Sequence, residues 1–92
     1  MVSIRNLQDL PKVSGIYQVI DEEGEVIYVG QAKNIHQRWK NGHHKLSEII
    51  NLCGVNAYIE SIEVSENLLN RAENMAISHF RPKLNFRTPP IV

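Results

Sequence analysis

A single cysteine, Cys53, leaves no partner for a disulfide within the chain and suits a reducing compartment. One cysteine and no paired Cys/His spacing also argue against a structural zinc site. No apolar run approaches the ~20 residues needed to cross a bilayer. The N-terminus has no apolar signal-peptide core, so a cytoplasmic protein is expected. Excess charge is missing too. Ten Lys/Arg stand against ten Asp/Glu, which disfavours a chain that coats a polyanion by bulk charge alone. There is no Ser-His-Asp order, phosphate-cradling glycine loop or dinucleotide-binding glycine pattern. Internal repeats and low-complexity runs are absent as well.

What remains is an ordinary small globular chain. Its 92 residues are 42% apolar and 22% charged, which predicts one domain over 1–92 with one modest core. The tail Arg87–Pro90 reads as an exit from that fold, either a junction with a longer parent or the natural end.

The charges are unevenly spread. Residues 31–45 hold Lys33, Arg38, Lys40 and Lys45 and no acid. Residues 79–87 hold Arg81, Lys83 and Arg87 and no acid. All four histidines, His36, His43, His44 and His79, fall in these two stretches, while Asp21, Glu22, Glu23 and Glu25 cluster elsewhere. If the basic stretches meet, one side of the molecule can take a polyanion. Otherwise they are separate solvated faces.

Periodicity gives the order β-β-α-α-β-α. Residues 15–20 (GIYQVI) and 25–30 (EVIYVG) read as a hairpin around Asp21–Gly24. Pairing Ile20 with Glu25 sets Tyr17 opposite Tyr28 and Gly15 opposite Gly30, with opposed side chains on one face. Asn34 is a helix N-cap. Ile35, Trp39, Leu46, Ile49, Ile50 and Cys53 follow at helical spacing, interrupted at Gly42 and closed by Gly54. That stretch is one kinked helix or two. Residues 55–63 alternate as a third strand. Ser65 is placed to cap a last helix that buries Leu68, Leu69, Ala72, Ala76, Ile77 and Phe80 and stops before Pro82.

Several residues could carry chemistry. Arg38 flanks the apolar stripe of its helix, where it is either a phosphate clamp or a snorkelling cation. Glu73 sits at the edge of the last helix's stripe, as a partner for a cation or as a ligand for a hydrated Mg²⁺. His43 and His44 are candidates for proton transfer. Tyr17 and Tyr28 are either a packing pair or phenols made useful by a cation such as Lys33.

Gly15-Ile16-Tyr17, ten intervening residues and Tyr28-Val29-Gly30 resemble the signature of the GIY-YIG nuclease family, with Val for the middle Ile. The stretch YVGQAKNIHQRW, residues 28–39, is similar to the family's second block. Glu73 and Asn85 fall where the family carries its later acid and asparagine. The likeness covers nearly the whole chain.

The resemblance implies an α+β fold (mixed α/β), a small three-stranded antiparallel sheet flanked by helices. It implies a metal-dependent endonuclease acting on DNA, with one Mg²⁺ or Mn²⁺ held by Glu73. Arg38 would clamp the scissile phosphate and Tyr17 would deprotonate or orient the attacking water. Tyr28 would hold that water or the phosphate, and Asn85 would fix local geometry. His43 stands one residue late for the family's usual His or Tyr, because that position is Gly42; a break there could restore its aim, with His44 as rival. Lys33, Arg38, Lys40, His44, Lys45, Arg81 and Lys83 would line the nucleic-acid cleft. Specificity would come from a parent chain, a partner or a dimer, and the protein would associate with the nucleoid when bound to DNA. Three other readings stay open: an inactive nucleic-acid-binding module of this fold, the nuclease module of a larger repair or mobile-element protein, and a protein-interaction domain.

Overall fold

A computed structural model describes residues 1–85 of the chain. The tail Arg87–Pro90, and Arg87's share of the second basic stretch, lie outside the described residues. Four strands form one antiparallel sheet: β1 (Val2–Ser3), β2 (Gly15–Ile20), β3 (Val26–Ala32) and β4 (Tyr58–Glu63), in the order β1-β4-β2-β3. The three long strands are the expected sheet, and β1 adds a two-residue edge. Short helices α1 (Ile35–Lys40) and α2 (Leu46–Cys53) follow the hairpin, and α3 (Leu69–Phe80) follows β4. No helix among the described residues is long and apolar enough to cross a membrane.

The hairpin is built as its residues dictate, but its register differs from the expected one. The Asp21 carboxylate accepts the Glu23 and Glu25 N–H groups at 3.0 and 2.8 Å, and Gly24 takes the left-handed backbone the turn needs (φ 86°). The turn therefore closes one residue later, with Ile20 opposite Val26. A bulge beside Val19 then absorbs Ile27. The two displacements add. Tyr17 lies opposite Gly30, Tyr28 opposite Val19 and Gly15 opposite Ala32. The Tyr17 ring covers the bare backbone of Gly30, where a Cβ would overlap its Cζ and Oη.

One face of the sheet carries Tyr17, Val19, Tyr28 and Ile59 into a core closed by Ile4, Leu10, Ile35, Trp39 and Ile49. Strand alternation sends Ile16 and Val29 to the other side, where α3 packs against β3 and β2. The outer edge of β3 is occupied by the chain after α3. Leu84 N–H donates to the Ile27 carbonyl at 3.0 Å. The Asn85 side chain accepts from Val29 N–H and donates to Val29 C=O, each at 2.8 Å. Pairing of this kind protects an edge strand.

The stretch after Asn34 is two helices. Asn34 caps α1 by accepting from Gln37 N–H at 3.0 Å, and Gly42 breaks the path with a left-handed backbone (φ 85°). Gly54 ends α2, its N–H donating to the Ile50 carbonyl. Two expectations need correction. The third strand begins at Tyr58, three residues late. Ser65 makes no side-chain cap: it opens a single 3-10 turn, Glu66–Leu68, before α3 begins. That turn rotates Leu68 outward, and Phe80 at the far end of α3 is also exposed. Leu69 is the helix's fully buried anchor.

Candidate active site

The break at Gly42 aims His43. Its ring is buried and stacks on Trp39, with centroids 4.2 Å apart and planes 19° from parallel. Its Nε2 lies 2.7 Å from Tyr17 Oη, and its Nδ1 is 3.0 Å from the Lys45 backbone nitrogen. A backbone N–H can only donate, so Nδ1 is bare. A neutral ring then carries its proton on Nε2 and donates it to Tyr17. Burial, reinforced by Arg38, His44 and Lys45, pushes the His43 pKa down to about 3, so the ring is neutral across the physiological range.

Tyr17 thus accepts a hydrogen bond from His43, and the Arg38 guanidinium is near enough for its positive charge to act on the phenol. Burial raises the Tyr17 pKa above the usual phenol range, the neighbouring Tyr28 and Glu73 add to the rise, and Arg38 opposes it. Tyr28, with its ring centroid 6.3 Å from that of Tyr17, is raised by burial and then by Glu73. The cation acting on both phenols is Arg38; Lys33 instead lines an adjoining hollow together with Arg38. Arg38 is exposed, and its Nη2 donates to His44 Nδ1 at 2.9 Å. His44 is therefore the exposed partner of the arginine, while His43 belongs to the phenols.

Glu73 is half-buried on α3, near enough to both phenols for its negative charge to raise them. Gln31, one residue past Gly30, orients it. The Gln31 amide nitrogen donates to Glu73 Oε1 at 3.0 Å and to Asn70 Oδ1 at 2.6 Å. Sequence reasoning missed Gln31, Asn70 and Trp39, because a polar residue in a strand and an aromatic in a helix carry no distinctive signal. Asn85 holds β3 at Val29, between Tyr28 and Gly30.

The donor chemistry can be tested against a metal. No group of three or more His, Cys, Asp or Glu side chains gathers among the described residues, which disfavours a closed zinc cage. A single carboxylate of hard oxygens, flanked by amide groups, fits Mg²⁺ or Mn²⁺ that keeps most of its waters.

The two basic stretches do not meet in full. Lys83 lies 3.7 Å from Glu25 at the acidic turn. Lys33 follows the opposite end of the seven-residue β3, which spans roughly 23 Å at ~3.3 Å per residue. Lys45 pairs with Glu48 at 3.4 Å, while its ammonium sits 6.0 Å from the Tyr28 ring centroid. Lys40 is exposed on α1, and Arg81 ends α3 in a left-handed conformation (φ 47°).

Residues 13–86 match a family model described as the UvrC-like GIY-YIG domain. The UvrABC system protein C of Rickettsia canadensis is 38% identical over 85 residues, covering 86% of this chain and 13% of that protein. The protein of the same name from Legionella pneumophila is 38% identical with the same coverage. The chain thus spans 13% of the length of the curated relatives it matches. Among solved structures, the magnesium-bound GIY-YIG N-terminal endonuclease domain of UvrC from Thermotoga maritima superposes with a TM-score of 0.72 at 29% identity, covering 90% of this chain and 96% of that one. A point mutant of that domain, bound to its catalytic divalent cation, gives 0.73 at 28% identity, covering 91% and 96%.

Proposed function

The chain belongs to the UvrC-like GIY-YIG domain family, and from that premise we propose that it is a metal-dependent endonuclease hydrolysing DNA phosphodiester bonds. One observation carries the reading: Tyr17, Tyr28, Arg38 and His43 gather in one site, with the Glu73 carboxylate in electrostatic reach of both phenols.

In this reading Arg38 grips the scissile phosphate, its exposed fork suited to bidentate contact and to charge developing in the transition state. Tyr17 Oη accepts the hydrogen bond from His43 Nε2–H, so its own hydroxyl hydrogen is left to orient the attacking water. With its pKa raised it enters the reaction as a phenol. Tyr28 stands beside it to hold the water or a phosphate oxygen. Asn85 fixes the strand that carries Tyr28. Glu73, steered by Gln31, would hold the divalent ion, which would supply Lewis-acid charge stabilisation when bound. In-line attack by that water forms the new P–O bond and breaks the bond to the 3′ oxygen; the water's proton passes to solvent and the 3′ oxygen takes one up from solvent, leaving 5′-phosphate and 3′-hydroxyl ends.

Residues 1–92 form a single such domain in this reading. Recognition of particular DNA structures falls to a parent chain, a partner or a second copy, in keeping with relatives several times longer that are named for a UvrABC system. Its place of action is the cytoplasm, on the nucleoid.

Plasmid nicking with Mg²⁺ tests the proposal. Glu73→Ala and Arg38→Ala should each lose at least about 10²-fold in rate while staying folded. Equal nicking by all three proteins would assign the activity to a contaminant. DNA retention without cleavage by the wild type would favour a non-catalytic binding module.

A further inference from the structure

Two hollows flank α1. One, of about 370 Å³, is lined by Arg38 and Lys33. The other, of about 310 Å³, is lined by Lys12, His36 and Lys40. They share Asn34, Gln37 and Asn41, so they lie on either side of one stripe of amide side chains along α1, with the arginine at one side and Lys12 and Lys40 at the other. No carboxylate lines either hollow. Among the described residues, Lys12, Lys33 and Lys40 have no acidic partner, whereas Lys45 and Lys83 are paired with Glu48 and Glu25.

We propose that this stripe is a backbone track: the DNA strand gripped at Arg38 continues over the outer face of α1 and is held at its far end by Lys12 and Lys40. The proposal rests on the endonuclease reading and extends it to Lys12, which lies outside both the motif and the reactive centre and was not among the expected cleft residues.

Three features shape the track. First, Lys12 is held in place. Ile35 N–H donates to the Val13 carbonyl at 2.9 Å and His36 N–H to the Pro11 carbonyl at 3.0 Å, so hydrogen bonds on both sides of Lys12 tie its backbone to α1. Second, those bonds, with Asn34 accepting from Gln37 N–H, occupy the first amides of α1. The attraction therefore comes from side-chain cations and not from a free helix terminus. Third, neither hollow is lined by Phe, Tyr or Trp, and the one ring present, His36, is tied to the chain through its Nδ1, 3.1 Å from the Leu10 carbonyl oxygen. Cations interleaved with amides recognise phosphate and sugar, not sequence.

The test uses the full chain and two substrates. Binding to a short duplex is followed by fluorescence anisotropy without divalent ions, across a salt series. Each lost phosphate contact should flatten the slope of log K against log salt by about 0.9. Lys12→Gln is expected to flatten it by that amount, and Lys12→Glu to weaken binding further. Hydrolysis of bis(4-nitrophenyl) phosphate with Mn²⁺, a diester whose single phosphate is taken up at Arg38 and leaves none for Lys12 to hold, should be unchanged in both variants. An unaltered slope with intact DNA cleavage would overturn the track and leave the nuclease reading standing. An equal loss on the small diester would also overturn it, by assigning Lys12 to the fold or the reactive centre. If the wild type cleaves neither substrate, the nuclease reading falls, and the salt slope still decides the track.

Discussion

His43 donates to Tyr17. With Lys45 N–H directed at Nδ1, the imidazole proton sits on Nε2, 2.7 Å from the phenol oxygen. The geometry makes His43 the group that fixes which way the Tyr17 hydroxyl points. His43→Phe keeps the stacking on Trp39 but removes the donor. It should slow cleavage by roughly 10–10²-fold, the range of a positioning contact near a reacting group. His43→Gln offers an amide N–H and should recover part of the rate. The separating readout is metal affinity, which neither change should move, because His43 makes no contact with Glu73.

The same ring couples stability to pH. Its folded pKa, about 3, lies below the ordinary value of 6.5. Between those values the unfolded chain binds more protons than the folded one. Stability from this group is therefore complete above pH 6.5 and falls as pH drops towards 3, by at most about 1.4 kcal/mol per pH unit. Urea unfolding at pH 7 and pH 4.5 should show a smaller acid loss in His43→Gln than in the wild type. A pH dependence identical in the two proteins would remove His43 as its source.

Gln31 makes a separate prediction about the metal. Its amide donates to Glu73 and to Asn70, so one strand residue and one helical turn set the carboxylate's orientation. Gln31→Leu should weaken Mn²⁺ binding by about 10–10²-fold, as loss of an outer partner of a ligand does. Asn70→Ala should act in the same direction and less, since Gln31 keeps its contact with Glu73. Isothermal titration with Mn²⁺ measures both without needing turnover.

Much of this arrangement was legible in the residues, for local reasons. Asn34 capped its helix, Gly42 broke the path, and the order of the main elements followed from periodicity. The hairpin register was not legible. It turned on a bulge at Ile27 and a turn closed by the Asp21 side chain, and both are geometry that composition does not encode. The β1 edge was too short for any periodicity to show. Long-range pairing hid the rest. Lys83 joined the acidic turn instead of the other basic stretch, and Gln31 found Glu73 across 42 positions.

The corrected register carries the sharpest structural prediction. Tyr17 lies over Gly30 because the strands are offset so that the two are opposed. A Cβ at Gly30 would come 2.6 Å from Tyr17 Cε1 and overlap the Cζ and Oη atoms beyond it, so the ring must shift and its hydrogen bond to His43 must readjust. Gly30→Ala should therefore cost about 1–3 kcal/mol in urea unfolding, as overpacking does, and should lose cleavage well beyond that. At Gly15 the added methyl would meet the Ile62 carbonyl of the neighbouring strand, and backbone cannot move aside as a side chain can. Gly15→Ala should be the more destabilising of the two. In a Tyr17→Leu background the ring is gone, and Gly30→Ala should then add little further instability. A double-mutant cycle measures that coupling directly. Additive costs would mean that Tyr17 does not rest on Gly30, and the site geometry built on that contact would have to be redrawn.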